Sequence, residues 1–145
     1  MWFDPVMRTV KPISLRRRRA PEAGVRAIAV GLGGVRAALG LAALAATAPA
    51  LRLLGFDAED GQARALTRLA GSRDLALGAL ALVALEDPGA LRAITLANAG
   101  VDAADAGTFL IALIRRDGVD RAAVLGAGSA TAASALGFLL AERLR

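Results

Sequence analysis

The stretch Ala122–Ala141, AAVLGAGSATAASALGFLLA, is 20 consecutive residues without a charge. As an α-helix rising 1.5 Å per residue it is roughly 30 Å long, the thickness of the hydrocarbon layer of a bilayer. Ala and Leu, the best helix formers among apolar residues, dominate it, and no Pro interrupts it. A run of this length and purity predicts a membrane-spanning helix. A second uncharged run, Ala37–Leu51, is 15 residues long and follows Arg36 directly.

Working outward, charged or Pro/Gly-containing stretches divide the chain. Gly55–Gln62 (GFDAEDGQ), Glu86-Asp87-Pro88-Gly89 and Arg115-Arg116-Asp117-Gly118 separate four apolar segments. These predict an all-α protein, a four transmembrane helix bundle over 24–145, with helices at about 24–54, 63–85, 91–114 and 121–144. Residues 1–23 form a basic N-terminal arm. Segments of 22–31 residues are roughly 33–46 Å long as helices, enough to span. Two of them need explanation. The second has only 11 uncharged residues in a row, Leu75–Leu85, and the third carries Asp102 and Asp105 in its middle.

Composition sets the limits. The chain has 145 residues, of which 36 are Ala and 24 Leu, with only 5 Ile and 9 Val, no Tyr, one Trp and four Phe. A β-sandwich or barrel needs more β-branched and aromatic residues. Without Cys or His, disulfides, Cys/His metal sites, a Cys nucleophile and a His base are all excluded. No metal and no cofactor is expected. Mean hydropathy is +0.52, and the net charge is +5 with an isoelectric point near 11.3. A soluble all-α interaction module would have to hide both that hydropathy and the clean run of the fourth segment.

The basic excess sits early. Arg8, Lys11, Arg16, Arg17, Arg18, Arg19 and Arg26 precede the first long apolar run, opposed there only by Asp4 and Glu22. Such a run can bind nucleic acid, contact anionic lipid or fix membrane topology. Nucleic-acid binding usually interleaves aromatics, and here only Trp2 and Phe3 are nearby, so no nucleic-acid partner is expected. Arg16, Arg17, Arg18 and Arg19 are expected at lipid head groups as a solvated cytoplasmic flank. Pro5, Pro12 and a terminal Arg cluster do not make a cleaved signal peptide. By the positive-inside rule both termini are cytoplasmic, in a cell membrane, read as the inner membrane of a bacterium. The use of 17 Arg to one Lys fits a high-GC bacterial source.

Polar residues inside the apolar segments carry whatever chemistry the chain has. Thr95, Asn98, Asp102, Asp105 and Phe109 follow steps of 3, 4, 3 and 4, which places them on one helical stripe. An Asp at the bilayer centre costs roughly 2.5–3.5 kcal/mol on insertion scales and needs a partner. Arg36 in the first segment and Arg73 in the second, with Asp74 beside it, are the candidates. Arg36, Arg73, Asp74, Asn98, Asp102 and Asp105 therefore form the candidate binding site. Three readings stay open: a polar pocket or ion site, a structural ion-pair network fixing register, or a helix break at Val101–Ala106. No catalytic residue is assigned.

Small residues form a second pattern. Arg followed five residues later by Gly recurs as Arg26…Gly31, Arg73…Gly78 and Arg121…Gly126. Gly33 and Ala37, Gly34 and Ala38, and Gly126, Ala130 and Ser134 lie four apart, ridges that let helices approach closely in lipid. Ala27–Arg36 (AIAVGLGGVR) and Ala123–Thr131 (AVLGAGSAT) imitate a dinucleotide-binding turn. Arg36 and Thr131 occupy its third small-residue position, and the second copy leaves 14 residues for the rest of such a fold.

GVRAALGL (Gly34–Leu41) and GSRDLALGALAL (Gly71–Leu82) resemble small four-helix bacterial membrane proteins of a family of unknown function, grouped with DoxX-like proteins. The resemblance covers about residues 24–114. It implies a four-helix integral membrane protein and carries over no catalytic residue. The first expectation is thus a small polytopic protein, a non-catalytic subunit or scaffold of a membrane assembly, partnered by the bilayer and by its own copies or a larger complex. The second is a transporter or membrane enzyme using the Asp102/Asp105 pocket. A cavity lined by those side chains and open to one side discriminates the two.

Overall fold

The computed structural model describes residues 21–145. All but the last three residues of the basic arm, including Trp2, Phe3 and Arg16–Arg19, lie outside the described residues. The described chain is helical: α1 (Ala23–Ala45), α2 (Thr47–Leu54), α3 (Gly61–Val83), a 3-10 turn at Ala84–Glu86, α4 (Pro88–Arg115) and α5 (Asp120–Arg143). Local chemistry fixes the boundaries. Asp60 caps α3 by accepting from the Gln62 N–H, and Asp87 caps α4 by accepting from Gly89 and Ala90, with Pro88 in its first turn. Gly55, at φ 86°, ends α2.

The single helix expected over 24–54 is two helices. Pro49 has no N–H for the Ala45 carbonyl, and its ring would collide with that oxygen in a continuous helix. The chain turns at Ala46 (φ −127°, ψ 47°), which places Pro49 in the first turn of α2, where no donor is needed. The Thr47 hydroxyl donates to the Ala43 carbonyl at 2.8 Å and is buried in the bend. Both stretches resembling nucleotide-binding turns lie inside helices, α1 and α5, so neither forms a loop.

The helices pair as two antiparallel hairpins, α1 with α3 and α4 with α5. Glycines set the first seam. A Cβ at Gly78 would come within 2.5 Å of the Ala37 N and 2.6 Å of the Gly33 O, and one at Gly40 would overlap the backbone of Gly71 and Leu75. Gly33 and Gly40 thus face Gly78 and Gly71, each pair seven residues apart. This near contact of backbones gives dispersion and Cα–H···O contacts in place of side-chain interlocking. In the second hairpin Gly137 lies against Ala99, the ring of Phe109 covers Gly126, and the buried Ser134 hydroxyl donates to the Ala99 carbonyl at 2.9 Å. Of the three Arg…Gly repeats, two end on such a close approach; Gly31 faces open space, as does Gly34.

The hairpins meet through a small apolar cluster at one end, built from Ala29, Ala84, Leu91, Leu140 and Leu144. At that end Arg26 reaches across to Glu86 at 2.6 Å. The hydrogen bond from Arg26, then its charge, holds the Glu86 carboxyl below the usual carboxylate range. Its folded-state value therefore lies below its unfolded one. The stabilisation is present above the ordinary carboxylate range and is lost as pH falls through the folded value. Glu86→Gln is expected to lower the thermal midpoint slightly at pH 7 and by less at a pH acidic enough to protonate Glu86 in the folded protein, as read by paired melts in detergent. An equal shift at both pH values would refute the pairing.

The exterior is apolar. Among the described residues eighteen large hydrophobic side chains are exposed, with Val83 and Ile114 at 80% and Leu69 at 67%. The buried set includes Asp102, Thr95, Ser134 and many alanines. A soluble bundle has the opposite distribution. Among the described residues, α1, α4 and α5 are long and apolar enough to cross a membrane. Four spans were expected, but α3 does not meet the same measure because it carries Arg64, Arg68, Arg73 and Asp74.

Candidate functional site

Each hairpin is tightly closed within itself, and the two touch mainly at the apolar end, so a cleft remains between them. It forms a cavity of about 470 Å³ with walls from α1, α3, α4 and α5. All six predicted residues, Arg36, Arg73, Asp74, Asn98, Asp102 and Asp105, line it.

α4 is continuous through Val101–Ala106, so the stripe is preserved and a helix break there is excluded. Arg36 on α1 reaches over from the other hairpin. Its Nη1 donates to Asp102 Oδ2 at 3.0 Å and lies 2.9 Å from Oδ1, while its Nη2 donates to Asp74 Oδ1 at 3.1 Å. Arg73 on α3 grips Asp105 with both terminal nitrogens, at 3.1 and 2.7 Å, and its Nε donates to Asp74 Oδ1 at 3.3 Å. The result is a chain of alternating sign, Asp102–Arg36–Asp74–Arg73–Asp105, that crosses the cleft twice. The two-pronged Arg73–Asp105 contact is the geometry in which guanidinium and carboxylate bind most strongly.

Exposure grades along the chain. The Arg36 and Asp102 side chains are 13% and 12% exposed, against 39% and 32% for Arg73 and Asp105. One end is therefore enclosed and the other faces the opening. Beside the enclosed pair two buried polar atoms have no hydrogen-bond partner, Arg36 Nε and Asn98 Oδ1. A network serving only to fix register is most stable when every member is satisfied, since each orphaned buried group costs about 1–3 kcal/mol.

No family model, no curated protein and no solved structure matches this chain. The site is thus read from its own chemistry. Ser129 and Thr108 line the cleft, but their hydroxyls donate to the carbonyls of Gly126 and Ala104 in their own helices. Every carboxylate of the cleft is held by an arginine. The described residues include no group of His, Cys, Asp and Glu arranged to hold a metal ion. What the cleft offers is charged and polar contacts at one level and apolar walls above and below, including Leu32, Leu91, Leu140 and Phe109.

Sequence spacing found the charged residues but missed the far wall. Small residues of α5, Ala130 and Ala133, line the cleft and leave room in it. Of these only Ala130 belongs to the Gly126, Ala130, Ser134 ridge, and Ser134 turns to the Ala99 carbonyl instead of the cleft.

Proposed function

We propose that this chain is a four-span integral membrane protein that binds a small ligand in the cleft between its hairpins, a transporter-type function rather than a scaffold. The observation that carries this is the cavity of about 470 Å³, lined by the Asp102–Arg36–Asp74–Arg73–Asp105 chain. That volume is in the range of ligand pockets, and ionisable groups inside a membrane bundle mark ligand or ion pathways. The absence of a free nucleophile or base in the cleft favours carrying a ligand over converting it.

In this reading α3 is the fourth span. It pairs with α1 along the glycine seam, and Arg73 and Asp74 point into the cleft instead of toward lipid. The bilayer is that of the cell membrane, read as bacterial and inner, and both termini are cytoplasmic. This orientation rests on the cluster of basic residues before α1, since the opposite end of the bundle also carries arginines, Arg52, Arg64, Arg68, Arg115, Arg116 and Arg121. Membership of the DoxX-like group is part of the proposal and rests on the two motifs at 34–41 and 71–82.

Two measurements test it. Carbonate washing is expected to leave the protein in membranes, whereas its release would return it to the soluble class. The chain has no Cys, so a single introduced thiol reports alone. Ala133→Cys, on the cleft wall, is expected to react with small water-soluble thiol reagents in native membranes. Leu139→Cys, on the exposed apolar face, is expected to stay inert. An inert Cys at 133 would mean a cleft closed to water, and the scaffold reading would replace this one.

A further inference from the structure

The charges lining the cleft do not cancel. α1 contributes Arg36, α3 contributes Arg73 and Asp74, α4 contributes Asp102 and Asp105, and α5 contributes no charged residue at all. Two guanidinium groups face three carboxylates. With all of them ionised the cluster carries one net negative charge, set between largely apolar helix faces. An uncompensated charge in such surroundings is costly, and it draws a counter-charge.

We propose that the cleft is a binding site for a small monovalent organic cation with an apolar body. This rests on the ligand-carrying reading above and names the class of ligand. The cation completes the charge balance of the cluster against the Asp102–Asp105 face of α4. The apolar body lies along Leu32, Leu39 and Phe109. Asp102 is the carboxylate least served by the protein. It has Arg36 alone, and Arg36 is shared with Asp74, whereas Asp105 holds both prongs of Arg73. An anion of the same shape would add a second unmatched negative charge and is excluded from the cleft.

The test uses the Ala133→Cys protein in membranes, the cationic reagent trimethylammonium-ethyl methanethiosulfonate and its anionic sulfonatoethyl counterpart. Rates are normalised to those with 2-mercaptoethanol in solution, which removes the intrinsic difference between the reagents. A negative cleft raises the normalised rate of the cation over the anion by about tenfold or more. Hexylammonium is expected to protect the thiol, while hexan-1-ol and hexanoate do not. Asp102→Asn and Asp105→Asn each make the cluster neutral and are expected to bring the rate ratio close to one. Either variant suffices if the other does not accumulate.

Equal rates for the two reagents, or protection by hexanoate as good as by hexylammonium, would overturn the cationic class and leave the cleft as a pocket for another ligand. A ratio that persists in both Asn variants would overturn the assignment to these carboxylates. A thiol inert to both reagents would remove the ligand-carrying reading itself.

Discussion

Gly78→Ala is expected to destabilise the protein by about 1–3 kcal/mol, although the same change at an open helical site stabilises by up to about 1 kcal/mol. The added Cβ would sit 2.5 Å from the Ala37 N and 2.6 Å from the Gly33 O. These are backbone atoms and no rotamer change relieves them, so α1 and α3 must move apart along the whole seam. Gly78→Leu is expected to prevent accumulation of the folded protein. Gly34→Ala is the control, two turns from the Gly40 contact on the same helix, with nothing within 4 Å of the added atom. It removes the entropic cost of glycine without a collision. Thermal melts of the parent, Gly78→Ala and Gly34→Ala proteins in one detergent decide the matter. Equal midpoints for Gly78→Ala and Gly34→Ala would mean that the seam is not the contact described.

Arg36→Met is the second large effect. It removes the cation shared by Asp102 and Asp74 and leaves the cleft with two unmatched negative charges. Removing one partner of a buried pair costs about 3–5 kcal/mol. The double variant Arg36→Met/Asp102→Leu takes away the stranded carboxylate as well. The remaining Arg73, Asp74 and Asp105 keep their mutual contacts, at 2.7 and 3.3 Å. Most of the loss is expected to return, with a coupling of about 1–3 kcal/mol between the two sites in a double-mutant cycle. Simple additivity of the two single losses would show that Arg36 and Asp102 do not depend on each other.

The charged site was legible because its residues stand out against their surroundings. In a chain with 36 Ala and 24 Leu, an Asp or Arg within an apolar segment needs a partner, and the steps of 3 and 4 along α4 put its polar residues on one face. Arg36 and Arg73 stand deepest in the other segments and are the candidate partners, but which of them meets Asp102 and which meets Asp105 is not legible from spacing. The segment ends were legible for a similar reason, since Asp87-Pro88 and Gly55 are caps with a mechanism. The break at Ala46 was not read, because Ala and Leu continue unchanged across it and only Pro49, three residues later, marks it. The seven-residue glycine spacing was hidden by composition: where a quarter of the residues are Ala, small residues four apart occur everywhere. The cavity belongs to neither hairpin alone. It depends on how far apart the two sit, and residue spacing within a helix does not encode that distance.

The two kinds of contact in the molecule differ in what they permit. Backbone against backbone, as along Gly33, Gly40, Gly71 and Gly78, has almost no free play, since any sliding brings Cβ atoms into carbonyls. Between the hairpins there is an apolar patch at one end, a small contact of α2 with α5 at the other and, at mid-depth, long arginine side chains that can follow a carboxylate by rotating. The molecule is therefore built as two stiff plates that touch at both ends and leave the cleft between them. Side-chain contacts between the plates yield more readily than the backbone seam within one, and Arg36 and Arg73 act as tethers whose reach limits how far the plates can part.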